Sequence, residues 1–562
     1  MRRVRVCAYA FCALVTILIR PFTPEVAAMS SQKFKGRITA DPHTRLVAPS
    51  RRDFLLRTGL AAGGLGLLGF SPFHALADVP TNCKTVPTPP ATPIPFTPDT
   101  SLAVRTRKSA FNLSASEKTR LKAAYKALRQ LRTSAPNDPR GWMRQANVHC
   151  FYCGGASGTA QPEIHGGWWF FPWHRAYLYF HERILGNLIG DPTFTLPYWD
   201  WDTVIAGQTQ PRATLPPVYD TPNASSNSLF DSHRGVSPTD KVPSQYVGPT
   251  TMKTRMNAAD FATFGGTDPS TPNGTGGVIE FGPHGAVHVW AGDVTMDWNN
   301  PKPDMGVLQT AAQDPVFFSH HCNIDRLWAV WNASSASHTN PPAATGWPAQ
   351  SWNFYDENKQ WRSIKVSDVL DTSNSLRYVY ASPTSTFFVA GPLPTLAQVA
   401  QRRVLTRVDI AAPPAQITLG TEPHTKKVAL PADLRTRALA LGTSPERGEP
   451  PRRYFLHIEG IDVPPHRSAI VRVFANLPTA NAATDVESPN FLDYFVIVAK
   501  STTPGAHRHN LARIDIDVTD KLPALLSAGN DLSVTLVPVS GANRKPRAGS
   551  LTYQRLYITE EQ

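Results

Sequence analysis

The run HGGWWFFPWHRAYLYFHERIL, His165 to Leu185, sets three histidines, His165, His174 and His181, inside a dense block of aromatic residues. Aromatic side chains bury large areas and exclude water, while neutral imidazole is a ligand for copper, zinc or iron. The stretch therefore reads as a dry pocket able to hold a metal. A histidine among aromatics is more often a core residue with satisfied nitrogens, so a second cluster has to support the reading. Pro172 suits a first helical turn, and Ala176, Tyr177, Phe180 and Ile184 follow at helical spacing.

That second cluster lies about a hundred residues on. His284 and His288 are four apart on a helix opened by Pro283, so both rings project from one face and can reach one metal. A zinc protease would place Glu directly after the first His as general base; this chain has Gly285. His320 and His321 sit on a helix expected over Val316 to Trp331 and point about 100° apart, so at most one faces the same site. Nine of the seventeen histidines fall between His149 and His321, a density that favours a metal centre over scattered core residues.

At 562 residues, 41% hydrophobic and 10% aromatic, the chain is long enough for more than one domain with a sizeable core. The formal charge is +13, but residues 1–77 hold eleven Lys or Arg against three Asp or Glu, leaving +5 for the rest. Nucleic acid is therefore not an expected partner. Six cysteines, Cys7, Cys12, Cys83, Cys150, Cys153 and Cys322, are too sparse for a disulfide scaffold and not spaced as a zinc ribbon.

Residues 1–77 read as a targeting leader. SRRDFL at Ser50 to Leu55, an apolar Gly-rich run from Thr58 to Phe70 and Ala75-Leu76-Ala77 together fit a twin-arginine export signal with its cleavage site. The apolar run is too short for a stable membrane span. Residues 29–50 are basic, hydroxyl-bearing and nearly free of acids, as in a transit peptide, so the expected destination is the chloroplast thylakoid lumen. Val6 to Ile19 reads instead as a secretory h-region, and Met29 is an alternative start; four sequons at Asn112, Asn223, Asn273 and Asn332 would be glycosylated on a secretory route.

Asp78 to Thr100 is Pro- and Thr-rich and expected to be extended. A helix then starts at Ser114, which forms a capping-box pattern with Glu117, and a second, short one is expected over Trp142 to His149. Residues 191–277 read as long loops with at most one short helix around Met252 to Phe264. Residues 381–450 lack a sustained pattern and read as a linker. Runs such as YFLHIEGI, AIVRVFANL, YFVIVAK and LSVTLVPV predict that 451–562 is an all-β sandwich or barrel.

The motifs HCFYCGG, FFPWHRAYLYFHERIL, LPYWDWD, PHGAVHVW and DPVFFSHHCNIDRLW resemble the two copper-binding regions of plant-type polyphenol oxidases, the tyrosinase and catechol oxidase family with a coupled type-3 copper pair. The resemblance covers most of residues 80–380 and extends to the β-rich tail. It implies a mainly α catalytic domain over 78–380, a four-helix bundle around a dicopper centre. It makes His149, His165 and His174 ligands of one copper and His284, His288 and His321 ligands of the other, leaving His181 and His320 out. Spacing alone left His181 open, since it lies two turns beyond His174 on roughly the same face. The resemblance further implies a thioether between Cys153 and His165, a disulfide between Cys83 and Cys150, and Cys322 as a free thiol.

The implied activity is oxidation of o-diphenols to o-quinones with dioxygen reduced to water. Glu280 matches a glutamate that holds a water and assists proton removal. Leu308 stands where many relatives place a Phe over one copper, and Gly285 replaces an Asn that helps deprotonate monophenols in some relatives. Weak or absent monophenol hydroxylation follows as an expectation. The alternatives are a tyrosinase with substantial monophenolase activity and a haemocyanin-like reversible dioxygen carrier. The resemblance also implies a latent proenzyme, its C-terminal domain covering the coppers until a protease cuts the 381–450 linker; the loop Asp485 to Tyr494 is the expected plug.

Overall fold

The computed structural model describes residues 92–562, apart from 154–161, 206, 210, 221–226, 272–273, 293–303, 383–403, 412–416, 421, 442–451, 464–467, 501–511, 528, 530 and 540–550. The leader expected over 1–77 and Cys83 lie outside the described residues.

Helix α1 spans Ala115–Ser134 and begins with a complete capping box between Ser114 and Glu117, which satisfies two orphan backbone donors. Its buried face is Leu121, Ala124, Tyr125 and Leu128. Helix α2 spans Trp142–Tyr152 and carries His149. Helix α3, Phe170–Leu188, is buried nearly all round, as a helix with apolar residues on every face must be. It packs against α1, and against the long helix that carries His321. The extended segment near the start of the described chain lies over this helix, with Phe96 edge-on to Tyr179 and Phe180 at 5.6 and 6.3 Å.

The helix expected to open at Pro283 is instead a wide π-type turn, Glu280–His284, running into helix α4, Gly285–Ala291. Pro283 has no N–H to give, and Gly282 leaves helical geometry (φ −117°, ψ −112°), so the hydrogen-bond ladder widens there. A Cβ on Gly282 would stand 2.5 Å from Cζ of Arg255, so only glycine admits that guanidinium. Helix α5 spans Val316–Ser334. Among the described residues, the loop-rich region before Glu280 contains three short helices, Ser244–Val247, Pro249–Met256 and Phe261–Phe264, where at most one was expected.

A buried ionic network ties α3 to α5. Asp325 accepts from Arg175 Nε at 2.5 Å, Tyr378 Oη at 2.6 Å and Tyr380 Oη at 2.5 Å, with Arg107 Nη1 at 3.4 Å. Glu182 takes Arg105 at 2.7 Å and Arg107 at 2.8 Å. Arg175 follows His174, and Asp325 lies one turn beyond His321, so the network fixes both helices beside their histidines.

The β-rich region differs from the expectation at its start. Within the stretch assigned to a linker lie β1, Val404–Ala411, β2, His424–Ala429, and helix α6, Ala432–Leu439. Then follow β3, Arg453–Ile461, β4, Ala469–Ala475, β5, Phe491–Ile497, β6, Ala512–Asp517, β7, Asp531–Val539, and β8, Arg555–Glu561. They form two four-stranded antiparallel sheets, β5-β4-β7-β2 and β6-β3-β8-β1, which share one apolar core. β1 and β2 are edge strands: β2 carries Thr425, Lys426 and Lys427, and β1 alternates Arg407 and Asp409 with Val408 and Ile410, so neither shows the longer apolar run of the interior strands; charged edges also discourage further pairing. No helix among the described residues is long and apolar enough to cross a membrane.

Candidate metal centre

Backbone carbonyls orient the histidines. His174 Nδ1–H donates to Phe170 O at 2.7 Å, one turn earlier on α3, and His284 Nδ1–H donates to Glu280 O at 3.1 Å across the π-type turn. His288 Nδ1–H donates to Met305 O at 2.8 Å. With the proton fixed on Nδ1, each Nε2 presents a lone pair, the tautomer a metal requires. Nε2 of His174 and of His284 is buried without a hydrogen-bond partner among the described residues.

The rings form two abutting trios. His149, His165 and His174 have centroids 5.2, 5.5 and 5.3 Å apart. His284, His288 and His321 lie 4.5, 5.0 and 5.4 Å apart. The trios meet where His174 stacks on His321, at 4.2 Å and 11°. Ligand atoms within each trio lie within 4.8 Å of one another. Burial, reinforced by neighbouring imidazoles, holds His174, His284 and His321 well below the usual histidine range. Burial takes His149 down to about 3 and His288 to about 4, so these rings are neutral donors at neutral pH. Six imidazoles in two trios fit a pair of copper ions.

Two further histidines are near and differ in chemistry. His320 is close enough to be grouped with the second trio, but Trp201 Nε1–H donates to its Nδ1 at 3.1 Å. An acceptor Nδ1 places the ring proton on Nε2, which then has no lone pair to offer. His181 faces away: its nitrogens lie 3.3 Å from Gln145 Oε1 and 3.4 Å from Tyr125 Oη, and the ring stacks on Phe318 at 3.6 Å.

Glu280 is buried beside the first trio. Its Oε1 accepts the Gly166 N–H at 2.7 Å, and burial pushes its carboxyl up to about 8 against that hydrogen bond. Cys153 is a buried free thiol that caps α2, and Cys322 is also free and buried. Cys150 is disulfide-bonded, and the partner expected for it, Cys83, lies outside the described residues.

The β-rich region meets the helical core near the site through Asp493 and Tyr494, within the stretch Asp485 to Tyr494, and through residues just beyond it. Asp493 and Tyr494 grip Arg255: its Nη2 donates to Asp493 Oδ1 at 2.7 Å and Tyr494 O at 3.0 Å, while Nη1 donates to Val278 O at 2.6 Å. A Cβ on Gly285 would lie 3.0 Å from Cβ of Val496, and Leu308 N–H donates to Ala499 O at 3.0 Å. The Leu308 backbone in turn lies beside the His149 ring, and Lys500 is close enough to favour the charged form of Glu280. Arg255 and Val496 have no signal in the sequence, and the motif LPYWDWD that holds Trp201 does not reveal its contact with His320, because these roles depend on contacts between distant segments.

The model of the common central domain of tyrosinase matches residues 139–258 and 208–334, and that of the polyphenol oxidase middle domain matches 345–387. A chloroplastic polyphenol oxidase of Malus domestica is 31% identical over 511 residues, covering 83% of this chain and 80% of that protein. The chain belongs to the polyphenol oxidase family. Its centre is accordingly the dicopper site of that family, and the enzyme is an oxidoreductase. The structure of latent apple tyrosinase is similar at a TM-score of 0.64 and 29% identity, over 84% of this chain and all of that one. An aureusidin synthase of Antirrhinum majus is 33% identical over 341 residues, 57% of this chain and 58% of that protein.

Proposed function

We propose that this polyphenol oxidase converts o-diphenols to o-quinones with reduction of dioxygen to water, with weak or no hydroxylation of monophenols. The observation that carries the reading is the pair of abutting imidazole trios, in which the Nδ1–H groups of His174, His284 and His288 are anchored on backbone carbonyls and their Nε2 atoms are left as lone-pair donors. His149, His165 and His174 would hold one copper, and His284, His288 and His321 the other. When bound, the copper pair supplies the site for dioxygen and accepts the electrons of the diphenol. The protein holds the rings still: α3 and α5 are pinned by Arg175 and Asp325, and a thioether from Cys153 would restrain His165. The aromatic walls exclude water. Glu280, its Oε1 fixed by Gly166 N–H, offers Oε2 as acceptor for a phenolic proton. Gly285 and Leu308 line the entrance; neither carries a group that would deprotonate a monophenol.

The chain is made latent, in this reading, by Val496 and Ala499 at the rim, and a protease cutting between Tyr380 and Val404 frees the entrance. The leader directs it to the thylakoid lumen, which the intact mass of the mature protein tests against the secretory alternative. Catechol and tyrosine, offered to the copper-loaded chain before and after limited proteolysis, test the activity. Rapid catechol turnover after cleavage is expected; rapid tyrosine hydroxylation without a lag would overturn the diphenol preference.

A further inference from the structure

Asp231, His233 and Asp304 bring one ligand atom each within 4.8 Å of the others, outside the two imidazole trios. His233 Nδ1 lies 2.9 Å from Asp304 Oδ2 and 3.8 Å from Asp231 Oδ1. Neighbouring ligands around a first-row ion, with bonds of about 2.1 Å, sit roughly 3.0–3.5 Å apart, so small adjustments would seat one ion among the three. Asp304 is 2% exposed, and its Oδ1 has no hydrogen-bond partner among the described residues. A buried carboxylate oxygen without a donor is costly unless a cation meets it.

The surrounding charges leave room for that cation. Asp314 is taken up by Arg234, at 2.6 and 2.7 Å. Arg129 is the other guanidinium that feels Asp231, and its own hydrogen bonds go to the carbonyls of Ser228 and Phe230. Three carboxylates thus face two guanidiniums. The side chains of His233 and Asp231 remain 20% and 10% exposed, so an ion can enter from solvent.

We propose that Asp231, His233 and Asp304 form a third metal site, for a divalent cation of the zinc class, separate from the copper pair. One imidazole and two carboxylates suit such an ion, with water completing its coordination. The site has a mechanical consequence, because Asp304 precedes Met305, whose carbonyl accepts the His288 Nδ1–H. A cation there braces the turn Asp304–Gly306 and, through it, the ring of His288.

The rival is a purely ionic cluster in which a protonated His233 bridges the two carboxylates. The copper-loaded chain, stripped of loosely held ions, is titrated with Zn²⁺ alone while metal content and thermal midpoint are followed. The proposal expects one saturable equivalent of zinc beyond the two coppers and a rising midpoint, both lost in Asp231→Asn and in His233→Gln with copper content unchanged. Should either variant fail to fold, the wild-type titration decides. No saturable third equivalent, no rise in midpoint, or a zinc equivalent retained by a folded variant overturns the proposal.

Discussion

Nε2 of His288 lies 3.2 Å from Nε2 of His321, while the Nδ1 proton of His288 is committed to Met305 O at 2.8 Å. Two ring nitrogens at that separation either share a proton or direct both lone pairs at a common ion. Ligands at about 2.0–2.1 Å from one ion have roughly this spacing, so the pair is already arranged for metal.

The tautomers separate ligands from neighbours. His321→Gln is expected to lose one of two coppers. His320→Gln, whose ring accepts from Trp201, should keep both, and so should His181→Phe, at a stability loss of about 1–3 kcal/mol for the partners left in Gln145 and Tyr125. Copper content of the folded variants checks this, and loss of a copper from His181→Phe would show that the third ligand was wrongly chosen.

Asp325 joins α3, α5 and the pair of tyrosines Tyr378 and Tyr380 in a site almost without water. Asp325→Asn leaves Arg175 and Arg107 buried with a partner removed, which costs about 3–5 kcal/mol. A thermal midpoint several degrees lower is expected; an unchanged midpoint would mean that the network does not hold the two helices.

How much of this was legible in the sequence follows from the range of the interactions. Spacing of four between His284 and His288 reports a shared helix face because the relation is local. The choice between His320 and His321 rests on Trp201, over a hundred residues away, and could be made from the sequence only through family likeness. Capping by Ser114 was readable for the same local reason. The edge strands β1 and β2 are hard to read from sequence because β2 carries Lys426 and Lys427 and the alternation of Val408 and Ile410 with Arg407 and Asp409 in β1 is short. The approach of Val496 to Gly285 has no local signature, because it depends on the docking of a sheet on the helical core.

Gly285 has a structural use in the uncleaved chain. Val496 approaches so closely that even a Cβ at 285 would meet it at 3.0 Å. Gly285→Asn is therefore expected to push the strand β5 away and raise the activity of the uncleaved chain several-fold, with little change after cleavage. Equal activity of variant and wild type before cleavage would remove Val496 from the shield.

Acid is expected to weaken the β-rich region through Glu560. Burial raises its carboxyl pKa, but hydrogen bonds from Arg437, Arg452 and Thr406 outweigh burial and bring it down to about 2. Because the folded value lies below the ordinary 4.5, this stabilisation is complete above about pH 4.5 and is lost as pH falls towards 2. Between about pH 6 and pH 3 the midpoint of the wild type should fall more than that of Glu560→Gln; parallel falls would contradict the assignment.

Oxygen uptake by the copper-loaded chain in the presence of catechol, after cleavage between Tyr380 and Val404, bears most directly on the central reading. One dioxygen consumed for every two catechols, with quinone appearing in step and no hydrogen peroxide released, is the predicted result. Reversible dioxygen binding without quinone formation, by a chain that holds two coppers, would contradict it and make the protein a carrier.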